Sequence, residues 1–144
     1  LFSLHVMHFL VPILFFLYLL LIDCFDLYPW NDLDRKSKCS HRLDLFIYYV
    51  PTALVIACHY TRFDTALIWA FTLTWFMFLF YVLTWWVPYL FGASASRKRA
   101  FTYQYGRTSR VLPAIKDHPI PDNQHIWVGI WLVLMLVTQW FTMK

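Results

Sequence analysis

Apolar residues run through this chain in four long blocks, separated by stretches where polar and charged residues crowd together. The first block, about 4–22, holds no Asp, Glu, Lys or Arg and stops at Asp23. The second, about 45–60, is shorter and is interrupted by Pro51 and Thr52. The third, about 65–91, is uncharged over about 27 residues, or about 40 Å as a helix, against a bilayer core of about 30 Å. It must tilt or project past the interface. The fourth, about 125–143, is uncharged until Lys144. The blocks are continuous, whereas a membrane β-barrel shows alternating segments of about 10 residues. The expected fold class is therefore an all-α integral membrane protein with four transmembrane helices. One membrane domain would cover 1–144, with two ordered cytoplasmic-side loops at 23–44 and 93–124.

Local signals refine the blocks. Pro12 predicts a kink in the first helix, tolerated where neighbours satisfy the freed carbonyl. Thr61-Arg62-Phe63-Asp64 predicts a tight turn, with Asp64 and Thr65 placed to cap the third helix. Pro88 and Gly92 mark that helix's end. In the last loop Phe101, Tyr103 and Tyr105 alternate, which predicts a short extended stretch with one aromatic face. Gly106 then permits a turn, and Pro113, Pro119 and Pro121 keep the remainder from forming a helix.

Composition agrees with a bilayer as solvent. Of 144 residues, 60% are hydrophobic and 14% charged, with a mean hydropathy of +0.53; ordinary soluble domains are about 45–50% apolar and about 25% charged. All eight acidic residues are Asp. The first block lacks a basic leader and runs into an acidic, aromatic segment, so it is expected to stay rather than be cleaved as a signal; Met7 is an alternative start. Cys24, Cys39 and Cys58 form no disulfide framework. Cys24 and Cys39 flank the first loop and can pair only if that loop faces an oxidising space.

Charge sets the expected orientation. Ten of the twelve Lys and Arg residues fall in the two long loops: Arg35, Lys36, Lys38 and Arg42 in the first, and Arg97, Lys98, Arg99, Arg107, Arg110 and Lys116 in the last. Only Arg62 and Lys144 fall at the other end. The positive-inside rule places the loops in the cytoplasm and both termini outside, in a bacterial or organellar inner membrane. Trp69 and Trp140 would then sit at the outer interface, and Trp85, Trp86 and Trp127 at the inner one.

The candidate chemistry lies at block ends. Asp117, His118, Asp122 and His125 are oxygen and nitrogen donors of the kind that hold a divalent metal, and Asp26, Asp32, Asp34, His41 and Asp44 lie on the same side. Arg107 and Arg110 are suited to a phosphate. Together they would make a metal-dependent enzyme acting on a phospholipid or prenyl phosphate. The competing reading makes Asp122 or Asn123 a helix cap, Arg97-Lys98-Arg99 a contact to anionic lipid, and Arg107 and Arg110 partners of loop-one aspartates. Tyr103 and Tyr105 join the same lipid or partner surface. At the opposite end His8 and His59 are candidates for an axial haem pair, or else interfacial histidines. The sequence assigns no cofactor and shows no nucleic-acid motif. Uncharged aromatic spans and the lack of a complete catalytic constellation favour a small membrane subunit that packs into a larger membrane complex, touching lipids and other subunits. The alternatives are the membrane enzyme and a haem- or quinone-binding anchor.

Overall fold

The computed structural model describes residues 4–61 and 63–144, and among them there are helices, turns and loops but no strand. Helix α1 spans Leu4–Cys24 and continues through Pro12. Helix α2 spans Lys38–Thr61, α3 spans Asp64–Phe91, the shorter α4 spans Ala95–Tyr105 and α5 spans Asn123–Thr142. Four of these, all but α4, are long and apolar enough to cross a membrane. Arg62, one of the two cations expected opposite the loops, lies outside the described residues.

The four long helices form an up-down bundle in which each packs on two neighbours: α1 on α2 and α5, and α3 on α2 and α5. Both long loops gather at one end, the loop end; the short α2–α3 connection lies at the other, the turn end. Phe15, Val55, Met77, Leu132 and Met135 fill the axis and are fully buried. Thr52 and Thr74 share that interior, and neither hydroxyl is left alone: Thr74 donates to Ala70 O at 2.9 Å, and Thr52 lies 3.6 Å from Met77 Sδ. Their outward faces expose Phe46, Leu54, Ile68, Trp69, Leu83 and Phe141, which is the reverse of a water-soluble surface.

Two prolines shape the bundle. Leu45–Tyr49 in α2 and Val82–Trp86 in α3 are single π-helical segments. Each starts six residues before a proline, Pro51 and Pro88. A helix-interior proline has no N–H to give and crowds the carbonyl four residues back; a locally widened turn relieves that crowding. Thr84 O, the carbonyl four back from Pro88, instead accepts Arg97 Nη2 at 3.0 Å.

The structure corrects several sequence expectations. The second helix is longer than 45–60, because Ser37 caps it by accepting Ser40 N at 3.1 Å and the chain helicates from Lys38. Asp64 and Thr65 do not cap α3; Phe63 holds the cap position without a side-chain bond. The predicted extended stretch at Phe101, Tyr103 and Tyr105 is helix α4, started by Ser94 accepting Arg97 N. Helical spacing sets Phe101 and Tyr105 on one face, where both meet Trp85, while Tyr103 is 62% exposed. An isolated strand would have had no ladder partner here. Trp85 is no interfacial belt residue: it is 5% exposed and sits inside the bundle end. The three cysteines are free thiols.

Candidate functional site

At the loop end, several of the sequence-selected polar residues finish helix ends. A helix leaves four N–H and four C=O groups unpaired at its termini, and in an apolar bundle these need protein partners. Asp122 is the cap of α5: Oδ1 accepts His125 N at 3.1 Å and His125 Nδ1 at 2.5 Å, and Oδ2 accepts the Thr108 hydroxyl at 2.8 Å. The carboxylate is 0% exposed. Burial alone would raise its pKa, but the charge and hydrogen bonds of His125, with Thr108, hold it below the ordinary carboxylate value. The His125 ring stacks on Trp85, centroids 3.5 Å apart and planes 27° apart, with the Tyr105 ring edge-on at 5.1 Å. Phe101 completes this aromatic packing.

His118 serves the end of α3. Its Nδ1 lies 2.8 Å from Tyr89 O, one of the last carbonyls of that helix. Gly92 follows at φ +90°, a conformation that favours glycine, and a Cβ there would come within 3.2 Å of His118 Nε2. Asn31 does the same for α1, donating to Ile22 O at 2.6 Å and Phe25 O at 2.8 Å. Arg110 Nη2 donates to Tyr105 O, the last carbonyl of α4, and the Thr108 hydroxyl oxygen lies 2.8 Å from the same atom.

Ion pairs join the two loops. Arg107 grips Asp32 with two N–H groups along one edge of its guanidinium, Nε to Oδ2 at 2.8 Å and Nη2 to Oδ1 at 2.9 Å. That bond holds the buried Asp32 carboxyl below its usual range against the opposing effect of desolvation. Backbone bonds continue the lacing: Ser109 N donates to Pro29 O at 2.7 Å, and Asn123 N to Ser109 O at 2.9 Å. Lys36 sits between Asp23 (2.5 Å) and Asp44 (2.7 Å), tying the end of α1 to the start of α2. Burial pulls its ammonium pKa down, and the charges of Asp44 and then Asp23 more than offset this. Lys98 pairs with Asp117 at 2.6 Å.

The four proposed metal ligands are therefore divided: Asp117 on Lys98, His118 on Tyr89 O, and Asp122 with His125. Among the described residues no group of three or more His, Cys, Asp or Glu is placed to hold a metal ion. Arg107 is committed to Asp32 and Arg110 to a helix end, rather than set side by side for a phosphate. Of the proposed lipid or partner contacts, Tyr105 faces inward, Arg97 and Lys98 have intramolecular partners, and Arg99 and Tyr103 stay exposed, with the Arg35 guanidinium over the Tyr103 ring at 5.5 Å. Chemically, Asp122 holds His125 with Nδ1 toward the carboxylate and leaves Nε2 as the nitrogen able to accept a proton or a bond.

The turn end carries the second polar cluster. His8 on α1 and His59 on α2 meet, ring centroids 4.9 Å apart and planes tilted by 59°. His59 Nε2 lies 3.2 Å from Gln139 Nε2 on α5. One of the two nitrogens that an axial haem ligand would use is thus already directed to an amide. Sequence reasoning missed Gln139, Asn31 and Thr108, which lie in unremarkable apolar or loop contexts and gain partners only from other helices.

No family model matches this chain, and no curated protein or solved structure shows significant similarity to it.

Proposed function

We propose that the chain is a four-span integral membrane protein with its laced loops in the cytoplasm and both ends of the chain on the other side, and that it acts as a structural subunit of a larger membrane assembly. One observation carries this reading: Arg107, Lys98, Lys36, Asp117, His118 and Asp122, which could have built a metal or phosphate site at the loop end, are spent on partners within the chain. Arg107 holds Asp32, Lys98 holds Asp117, Lys36 holds Asp23 and Asp44, and Asp122 and His118 finish helices. What such an arrangement supports is a rigid cap on a bundle whose outward faces are apolar and aromatic.

Rigidity of the cap and aromatic outer faces suit lateral packing against other membrane helices. Orientation follows the excess of Lys and Arg in the two loops. The test is purification from the native host in mild detergent, followed by mass measurement of the intact assembly. Stable co-purification with other membrane proteins is expected, with Asp117→Ala and His118→Ala reducing recovery of the complex. A chain that runs alone at all detergent concentrations would overturn the subunit reading.

A further inference from the structure

We propose that the turn end of the bundle binds an uncharged, ring-headed lipid, a quinone in its hydroxyl-bearing reduced form, at His59, which Gln139 backs from α5. A cavity of about 960 Å³ lies there, with Phe9, Leu10 and Leu67 in its wall and His8, His59 and Tyr60 as polar members; α5 adds Thr142. A water occupies about 30 Å³, and small-molecule sites run to about 1,000 Å³, so the space suits a lipid head with part of its tail. None of the described lining residues is Asp, Glu, Lys or Arg. A charged head would lose its hydration there without a counter-charge; a neutral head would not.

The chemistry of the head follows from two buried atoms. His59, in the cavity wall, is 3% exposed, and Gln139, which stands behind it rather than in the lining, is 1% exposed; among the described residues His59 Nδ1 and Gln139 Oε1 have no hydrogen-bond partner. The imidazole and the amide can each be set two ways. If the amide donates to His59 Nε2, Nδ1–H is left as a donor and Oε1 as an acceptor. If the amide is turned over, Nε2–H donates to it, and the spare donor and acceptor exchange places. Either way one donor and one acceptor remain, and a hydroxyl, being both, can meet whichever His59 presents to the cavity. Aromatic neighbours in the wall, Phe9 and Tyr60, favour a flat ring over a simple chain alcohol. The His8 ring lies against His59, so the head group reaches His59 by displacing it. This site is independent of the assembly reading, since a solitary chain would bind as well.

The experiment uses the full-length protein in detergent, with a decyl-tailed benzoquinol as probe, n-decanol as the comparison, and equilibrium binding followed by tryptophan fluorescence. Saturable binding of the quinol is expected, weaker by about tenfold or more in His59→Phe and in Gln139→Leu, a factor that corresponds to one hydrogen bond lost. Leu67→Trp, which fills the cavity, abolishes binding, and Phe46→Ala on the exposed face of α2 leaves it unchanged. If His59→Phe does not fold, His59→Gln supplies the check: it restores a donor and an acceptor and retains binding. Absence of quinol binding by the unaltered protein, or binding indifferent to Gln139→Leu and Leu67→Trp, overturns the proposal. Equal affinity for n-decanol overturns the ring-headed assignment, and a Soret band in protein from its native host overturns it in favour of haem.

Discussion

Asp122 binds His125 twice, once through the backbone N–H and once through the ring, with its own carboxylate fully buried. One side chain thereby starts α5, orients the imidazole against Trp85 and, through Thr108, fixes the end of the last loop.

Removing that carboxylate should undo all three. Asp122→Ala is expected to lower stability by about 1–3 kcal/mol, the cost of a lost cap plus buried donors left unpaired. Asp122→Asn, which still accepts from the backbone, should cost less. Thermal midpoints in one detergent check the order; equal midpoints for Asp122→Ala and the unaltered protein would show that the cap is not needed.

The Arg107–Asp32 fork should hold the loops together as a unit. Arg107→Lys keeps the charge but loses the two-pronged geometry. Faster amide exchange is expected across both 26–36 and 106–122, because Asp32 lies in one loop and Arg107 in the other. Asp32→Asn should speed the same segments, and the double variant should add little to either single one. Exchange confined to the last loop would mean that the fork does not couple them.

Acid should loosen this end of the molecule first. The carboxyls of Asp32 and Asp122 are held below their ordinary values, so the folded form binds those protons less readily than the unfolded form. Their stabilisation is present above the unfolded carboxylate pKa of about 3.9 and is lost as pH falls through the lower folded values. Lys36 has the opposite sign: its pKa is raised, so its contribution is full below about 10.4 and disappears as pH climbs past the folded value. Loop-end amide protection should therefore decline in strong acid before the helix signal does.

Gly129 is set by a close approach. A Cβ at that position would lie 2.4 Å from the Tyr81 hydroxyl oxygen and 2.6 Å from Cζ. Tyr81 in turn accepts Trp86 Nε1 at 2.9 Å. Gly129→Ala should cost about 1–3 kcal/mol by overpacking, outweighing the gain in helix propensity. Tyr81→Phe should not rescue it, since the ring carbon still collides, whereas Tyr81→Leu should recover part of the loss. Rescue by Tyr81→Phe would place the conflict at the hydroxyl alone.

Much of the architecture was legible along the chain because a helix in an apolar block closes its own hydrogen bonds. No knowledge of neighbours is needed to see that 65–91 or 125–143 is long and apolar enough to cross a membrane. The gathering of the basic loops at one end follows from an even number of helices joined in sequence. The capping role of Asp122 was visible too, since Asp just before an apolar run is a local signal.

What only tertiary structure decided is where each remaining polar group found its partner. Phe101, Tyr103 and Tyr105 alternate like a strand, yet Trp85 on another helix supplies the contact that makes a helical face worthwhile. The two π-helical segments depend on Pro51, which along the chain reads as an interruption, and on Pro88, which reads as the end of a helix. Asp117, His118, Asp122 and His125 share a sequence neighbourhood and look like one ligand set. In space, Lys98, Tyr89 O and Thr108 draw them to different tasks, because each helix end needed a partner close at hand. His59 and Gln139 are 80 residues apart, and no pattern along the chain announces their meeting: hydrophobic periodicity determines helices, while the pairing of buried polar groups depends on which helices become neighbours.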